Sequence, residues 1–339
     1  GLQHDAPLVC CHAVQDGEGV LLFLGQAGSY PLTPRAHLAS ISPNSQMKML
    51  PYTVPFDNRA VWYGEDDRYD LYGLDCDQQY IVLCNHWETV VIERTSGQTW
   101  KFRHAVSPLN GLRLQDGRIY LLGANTFQSL DLRGENRKIH FNQQRLDKLN
   151  ALDEGGQASN LTAIGGGRLL FKVTHKLPRE VWGREEIWLY DATADSLRRL
   201  LELPPRQHYS LSAVQGQVLL LTVQKLRSSI QVLDPADGQL RVIATPPAKD
   251  EWRPAKHQLN GGDTNGPLAY PFVLDGEYLW CGGFYPAAIN LATPETSPLL
   301  WLPTCKAVCK VGRRVFFLRH NYWFSVPSPD GTAAVLRQE

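Results

Sequence analysis

The sequence predicts an all-β chain built of repeated four-stranded antiparallel units, and three observations lead there. Short apolar runs of period two, separated by polar turns, recur from one end of the chain to the other. They recur at a broadly regular spacing, and helical periodicity is nearly absent. Ser229 to Ile243, SIQVLDPADGQLRVI, shows the motif in miniature: Ile230 and Val232 precede the turn DPADG, and Leu240 and Val242 follow it.

Six further segments repeat this strand, polar turn, strand pattern. They are HLASISPNSQMKML from His37, VVIERTSGQTWKF from Val90, SLDLRGENRKIHF from Ser129, EIWLYDATADSLRRLLEL from Glu186, AAINLATPETSPLLWL from Ala287 and YWFSVPSPDGTAAVL from Tyr322. Each of the seven follows a second, more apolar hairpin: HAVQDGEGVLLFL, GLDCDQQYIVLC, GLRLQDGRIYLL, LTAIGGGRLLF, LSAVQGQVLLL, PFVLDGEYLW and AVCKVGRRVFFL in turn. The paired hairpins divide the chain at about 8–52, 70–104, 107–143, 157–205, 208–247, 268–304 and 305–338. Within a pair the first two strands are apolar on both sides, as an inner position between neighbouring sheets requires, and the last two alternate with polar residues. Only Asn142–Asp153, NQQRLDKLNALD, has the periodicity of a short helix.

A repeat of about 35 to 60 residues is the length of a propeller blade and too long for a leucine-rich or ankyrin unit. On these hairpin pairs the sequence resembles a seven-bladed β-propeller, a resemblance that covers essentially the whole chain and implies one domain over residues 1–339. The WD dipeptide is missing, and CGGFYP at Cys281 is similar to a kelch fragment but occurs in one unit only. The turns DPADG and RTSGQTW are similar to those of quinone-binding-type and YVTN-type repeats without their strict spacing, so no single family is assigned.

Composition narrows the function classes. The 34 Lys and Arg balance 34 Asp and Glu, and no basic run occurs, which excludes the electrostatic footprint of a nucleic-acid or anionic-membrane binder. No apolar stretch is long enough for a transmembrane helix, so membrane insertion is not expected. The first residue is Gly, which leaves a trimmed signal peptide or an upstream domain as an expectation. Seven cysteines, at 10, 11, 76, 84, 281, 305 and 309, with no CxxC pair, fit core residues better than a disulfide framework or a zinc site. A bond from Cys10 or Cys11 to Cys305 is conceivable if the first and last units meet. Export to the periplasm or outside the cell is weakly favoured by the all-β architecture and the Asn160-Leu-Thr162 sequon, with the unpaired cysteines pulling the other way.

The resemblance also sorts the loops. With strands A to D counted outward, A–B and C–D turns share one face and are short here; B–C loops and connections between units share the other, where length varies. GQAGSYPLTPRA, KVTHKLPREVWGRE, PYTVPFDNRAVWYGEDDRYD and TPPAKDEWRPAKHQLNGGDTNGPLAY all fall on that second face, and long loops on a rigid scaffold are where binding residues gather.

Three constellations in these loops carry chemistry. Trp62 and Tyr63 stand with Glu65, Asp66, Asp67 and Asp70, a pairing of aromatic platforms and carboxylates that suits a sugar. His86, His175, His257 and His320 fall in predicted loops; converging imidazoles would bind a transition metal, but these come from units spread around the ring, so no metal site is assigned. Asn85 and His86 before Trp87, and His320 and Asn321 before Tyr322, present the same groups in two units and would line a ligand funnel or form turns. NGGDTNGP lacks the Lys-Ser/Thr ending of a phosphate loop, and no GxSxG elbow is present.

The expected function is that of a non-catalytic scaffold, a monomer without cofactor, binding a protein or glycan through its long loops. The candidate contacts are Trp62, Tyr63, Asp70, Asn85, His86, Trp87, His175, Trp182, Trp252, His257, His320 and Asn321. The alternative is a carbohydrate-active hydrolase or lyase with a polar or metal-containing axial site.

Overall fold

The computed structural model describes residues 8–17, 19–26, 37–44, 46–52, 54, 73–85, 88–104, 106, 109–142, 157–175, 184–203, 208–214, 217–224, 227–244, 272–281, 287–290, 296–298, 307–319 and 322–327. Every regular element among them is a strand, and none is a helix long and apolar enough to cross a membrane. The 142–153 segment falls largely outside the described residues.

The strands pair as the hairpins predict. One sheet joins β1 (Leu8–Asp16), β2 (Gly19–Gln26), β3 (His37–Ile41) and β4 (Met47–Met49) in chain order. The next joins β5 (Gly73–Cys76), β6 (Tyr80–Cys84), β7 (Glu88–Glu93) and β8 (Thr99–Arg103). A third holds β9 (Leu109–Gln115), β10 (Arg118–Gly123), β11 (Phe127–Asp131) and β12 (Lys138–Phe141), and a fourth β13 (Gln157–Gly165), β14 (Arg168–His175), β15 (Arg184–Asp191) and β16 (Ser196–Leu203). In the fifth are β17 (His208–Val214), β18 (Gln217–Gln224), β19 (Arg227–Leu233) and β20 (Leu240–Ala244). The sixth contains β21 (Phe272–Asp275), β22 (Tyr278–Cys281), β23 (Ala287–Asn290) and β24 (Thr296–Pro298). The last has three strands among the described residues, β25 (Ala307–Val311), β26 (Arg314–Arg319) and β27 (Tyr322–Pro327).

Burial falls from the inner strands to the outer ones. Ile81–Cys84 of β6, Ile119–Gly123 of β10 and Leu169–Val173 of β14 are buried without a break, whereas β4 is exposed throughout and β8 is nowhere buried. A second strand covered on both faces can be wholly apolar, and an outermost strand must face water.

The Asp-rich turns between third and fourth strands have a direct cause. Asp131 Oδ1 accepts the backbone N–H of Arg133 at 2.9 Å and of Glu135 at 2.8 Å; Asp191 Oδ1 accepts those of Thr193 and Ala194; Asp234 Oδ1 accepts that of Ala236 at 2.8 Å. A short carboxylate placed where the strand ends satisfies N–H groups that the reversing chain takes out of the ladder.

The chain forms two compact units, one of residues 1–140 with 309–327 and one of 141–308 with 328–339. In the first, β26 packs on β1, β1 on β5 and β5 on β9. Leu21, Phe23 and Leu38 share one apolar cluster with Leu74, Ile81, Leu83, Val90 and Ile92; Val82, Cys84 and Val91 share another with Leu112, Ile119, Leu121 and Leu130. Side chains from the innermost strands pin neighbouring sheets by their backbones: Gln15 Nε2 donates to Lys310 O at 2.8 Å, and Leu114 N donates to Asp75 Oδ2 at 2.8 Å. In the second unit β13 packs on β17 and β17 on β21, with Ile164, Leu170 and Ile187 against Leu211, Val218 and Leu220.

One contact repeats between consecutive sheets of each unit. Tyr52 lies over Gly97, Phe102 over Gly134 and Leu200 over Gly238, so the outer part of one sheet covers the third turn of the next. All three glycines have positive φ, +70°, +80° and +79°. At Gly238 a Cβ would come 2.6 Å from the Leu200 carbonyl oxygen, so both dihedral and space demand glycine there.

Candidate functional site

The densest buried charge among the described residues sits at one end of the fourth sheet, where β14 ends and β15 begins. The register sets His175 opposite Arg184 and Val173 opposite Glu186, and Glu186 in turn opposite Glu202 of β16. Paired residues of antiparallel strands share a face, so His175, Arg184, Glu186, Trp188 and Glu202 point to one side. Lys172, Thr174 and Glu185 point to the other.

Glu186 is the centre of the first side. Its carboxylate is fully buried, yet Trp188 Nε1 donates to Oε2 at 2.9 Å and Arg199 Nη1 to Oε1 at 3.0 Å. Arg184 Nη2 stands 3.6 Å from Oε1, and His175 Nε2 stands 3.3 Å from Oε2, an ion-pair distance without the alignment of a hydrogen bond. Burial on its own would raise the Glu186 carboxyl; the contacts with His175, Trp188 and Arg199 outweigh it and bring the group down to about 2. Arg199 and Arg184 also reach Glu202, at 3.3 and 3.9 Å.

On the opposite side Lys172 Nζ donates to Glu185 Oε1 at 2.9 Å, and the Thr174 hydroxyl donates to the same oxygen at 3.3 Å. Both charged side chains are buried. The two adjacent glutamates therefore serve opposite faces of one sheet, each neutralised by a cation from a neighbouring strand. A buried carboxylate is tolerated only when paired and hydrogen-bonded in this way. His175 and Arg184 close β14 and β15, so Glu186 holds both ends of the connection between them.

Of the residues chosen from sequence, Asn85 and His175 are described. His175 was expected in a loop; it is the last residue of β14 and only 2% exposed, because β14 runs further than the loop-like string KVTHKLPREVWGRE suggests. Lys172, in the same string, is likewise a buried strand residue. Asn85 closes the turn between β6 and β7: Glu88 N donates to its Oδ1 at 2.7 Å, its own N donates to Glu88 O at 3.0 Å, and His104 Nε2 lies 3.0 Å from its carbonyl oxygen. Trp62, Tyr63, Asp70, His86, Trp87, Trp182, Trp252, His257, His320 and Asn321 lie outside the described residues, as do the side chains of Cys10, Cys11 and Cys305. Cys76 and Cys84 are free thiols. Among the described residues, no three His, Cys, Asp or Glu side chains come together as a metal-holding group.

Sequence reading missed Glu185, Glu186, Arg184 and Arg199. The one available signal was Arg-Glu-Glu set directly against the apolar run IWLY, charge at the mouth of a strand that is otherwise buried.

No family model and no curated protein matches this sequence. Solved structures do match its fold. The crystal structure of puromycin hydrolase aligns with 98% of this chain at 12% identity and a TM-score of 0.62; the match spans 54% of the hydrolase, so the chain corresponds to about half of that protein. The β-propeller domain of the trilobed protease from Pyrococcus furiosus aligns with 100% of this chain and 97% of its own length at 11% identity and a TM-score of 0.55. Oligogalacturonate lyase in complex with manganese aligns with 96% of this chain and 97% of its own length at 10% identity and a TM-score of 0.55. Likeness at such low identity shows the fold alone, an all-β propeller of four-stranded antiparallel blades.

Proposed function

We propose that this chain is a non-catalytic propeller scaffold, one seven-bladed domain over residues 1–339, that acts as a monomer and binds a protein or glycan through the loops joining second to third strands and blade to blade. Trp62, Tyr63, Asp70, Asn85, His86, Trp87, Trp182, Trp252, His257, His320 and Asn321 are the proposed contacts, with His175, 2% exposed at the end of β14, holding the root of its loop rather than touching the ligand. The observation that supports this reading is the state of Glu186. A carboxyl held at about 2 is ionised at neutral pH, and both its oxygens are engaged by Trp188 and Arg199. Such a group has no proton to give as a general acid, and at 0% exposure it lies out of reach of a substrate. What it does well is to brace β14 against β15 and β16 at the root of a long loop.

The second reading, a carbohydrate-active hydrolase or lyase, draws support from the fold shared with a hydrolase and with a lyase that is described in complex with manganese. One experiment separates the two. Purified protein is applied to a glycan array, the bound glycans are examined by mass spectrometry, and metal in the protein is measured by elemental analysis. Saturable binding with intact glycans supports the scaffold; shortened or unsaturated products, or stoichiometric metal, overturn it in favour of the enzyme.

A further inference from the structure

Gln128 is buried completely, and neither Oε1 nor Nε2 of its side chain has a hydrogen-bond partner. Because both ends of the amide are bare, exchanging them changes nothing, and the observation does not depend on how the amide was oriented. Gln128 is the second residue of β11 and pairs with Leu121 of β10. Strand alternation puts it on the face of Leu130, and Leu121 and Leu130 both belong to the apolar layer shared with Val82, Cys84 and Val91 of the neighbouring sheet. A Leu here would continue that layer without polar cost. A bare buried amide is the opposite: each unmet donor or acceptor disfavours the folded state by roughly five- to a hundredfold.

Other buried polar groups of this unit keep at least one bond within the protein, even where a further atom is unmet: Arg94 Nη1 donates to Asp16 Oδ2 at 3.0 Å and Gln115 Nε2 to Asp116 Oδ2 at 3.4 Å. Ser129, the next residue, receives Arg118 Nη2 at 3.1 Å and lies 3.0 Å from His140 Nε2; Thr89 and Cys84 hold each other at 3.1 Å. Gln128 differs from them in that both polar atoms of its side chain are bare.

We propose that the Gln128 amide is an internal water-binding site between the second and third sheets. Water fits the chemistry, since it gives to Oε1 and takes from Nε2, is small enough for a layer of Leu and Val, and carries no charge that the apolar surroundings would reject. A fixed water lets this strand keep a polar residue inside a sheet-to-sheet layer.

The test pairs a variant with a direct observation. Gln128→Met keeps the length of the side chain and removes both polar atoms. If the amide holds water, the variant strands that water in an apolar layer and its melting temperature falls by roughly 2–4 °C; a higher melting temperature than the parent overturns the proposal. Should the variant fail to fold, a crystal structure of the unaltered protein near 1.5 Å decides. Ordered water at about 2.7–3.2 Å from Gln128 Oε1 or Nε2 supports the site, and an amide bonded to protein or surrounded only by carbon overturns it.

Discussion

The indole N–H of Trp188 donates to Glu186 Oε2 at 2.9 Å from two residues further along the same strand and face. A pair two residues apart on one strand is held by β15 itself, so this contact orients the carboxylate independently of partners from other strands. Arg199 then arrives from β16 and His175 from β14.

Glu186→Gln is therefore expected to lower stability at neutral pH by on the order of 2 kcal/mol, since the charge-assisted bonds from Arg199 and Trp188 weaken while the part-exposed Arg184 and Arg199 keep Glu202. The pH dependence gives the sharper check. With the folded carboxyl held at about 2, below its ordinary value, the stabilisation is present above about pH 4.3 and is lost as pH falls through the folded value. Denaturant titrations of parent and variant should converge toward pH 2; curves that stay parallel there count against an ionised Glu186.

Gly134 and Gly117 make a controlled pair. Both have positive φ, +80° and +69°, but a Cβ at Gly134 meets the Phe102 ring, whereas at Gly117 it meets nothing within 4 Å. Gly117→Ala should cost about 1–2 kcal/mol, the dihedral penalty alone. Gly134→Ala should cost that plus about 1–3 kcal/mol of overpacking. Equal urea midpoints for the two variants would remove the packing of one sheet's outer strand over the next sheet's turn from the account of stability.

Cys84 carries a second measurable consequence of burial. Removal from water pushes its thiol up to about 12, against the opposing hydrogen bond with the Thr89 hydroxyl at 3.1 Å. Thiolate is the species that alkylates, so the native protein at pH 8 should leave Cys84 unlabelled by iodoacetamide while urea-unfolded protein labels fully. Peptide mass spectrometry reads the difference, and rapid native labelling would show that the layer containing Cys84, Val82 and Val91 opens readily.

How much of this was legible depended on whether a residue's surroundings are local. The hairpin of β19 and β20 was readable because its alternation and its DPADG turn lie within fifteen residues, and the Asp234 bond that shapes the turn is equally local. Glu186 was hidden for the converse reason. Along the chain it is one charge in an Arg-Glu-Glu run that resembles a solvated loop end; only the register with Val173 and Glu202 turns it inward among His175, Arg184 and Arg199. His175 was noticed as a residue type and misplaced as a loop residue, because VTHKL has no local marker for the end of β14. Asn85 carried its own marker, a side chain suited to a turn, and it forms one with Glu88.

Asp75 tests the opposite sign of the pH argument. Its Oδ2 accepts Leu114 N at 2.8 Å across to β9 and its Oδ1 accepts Cys76 N at 3.0 Å. Burial raises its carboxyl above the ordinary value, and the Arg113 charge and the two N–H donors only partly oppose that. A raised folded value means that the stability linked to this group is present below the unfolded value of about 3.9 and is lost as pH rises through the folded one. Asp75→Asn keeps an acceptor for Leu114 and cannot ionise, so it should abolish that fall and match or exceed the parent at pH 7. Asp75→Ala leaves the Leu114 N–H unmet and should cost about 1–3 kcal/mol at every pH. Unfolding curves from pH 3 to pH 8 distinguish the two effects: an Asn variant weaker than the parent at pH 7 but not at pH 3 would mean that the charge itself, through Arg113, holds β5 to β9, and one weaker across the whole range would point to the lost second acceptor for Cys76 N.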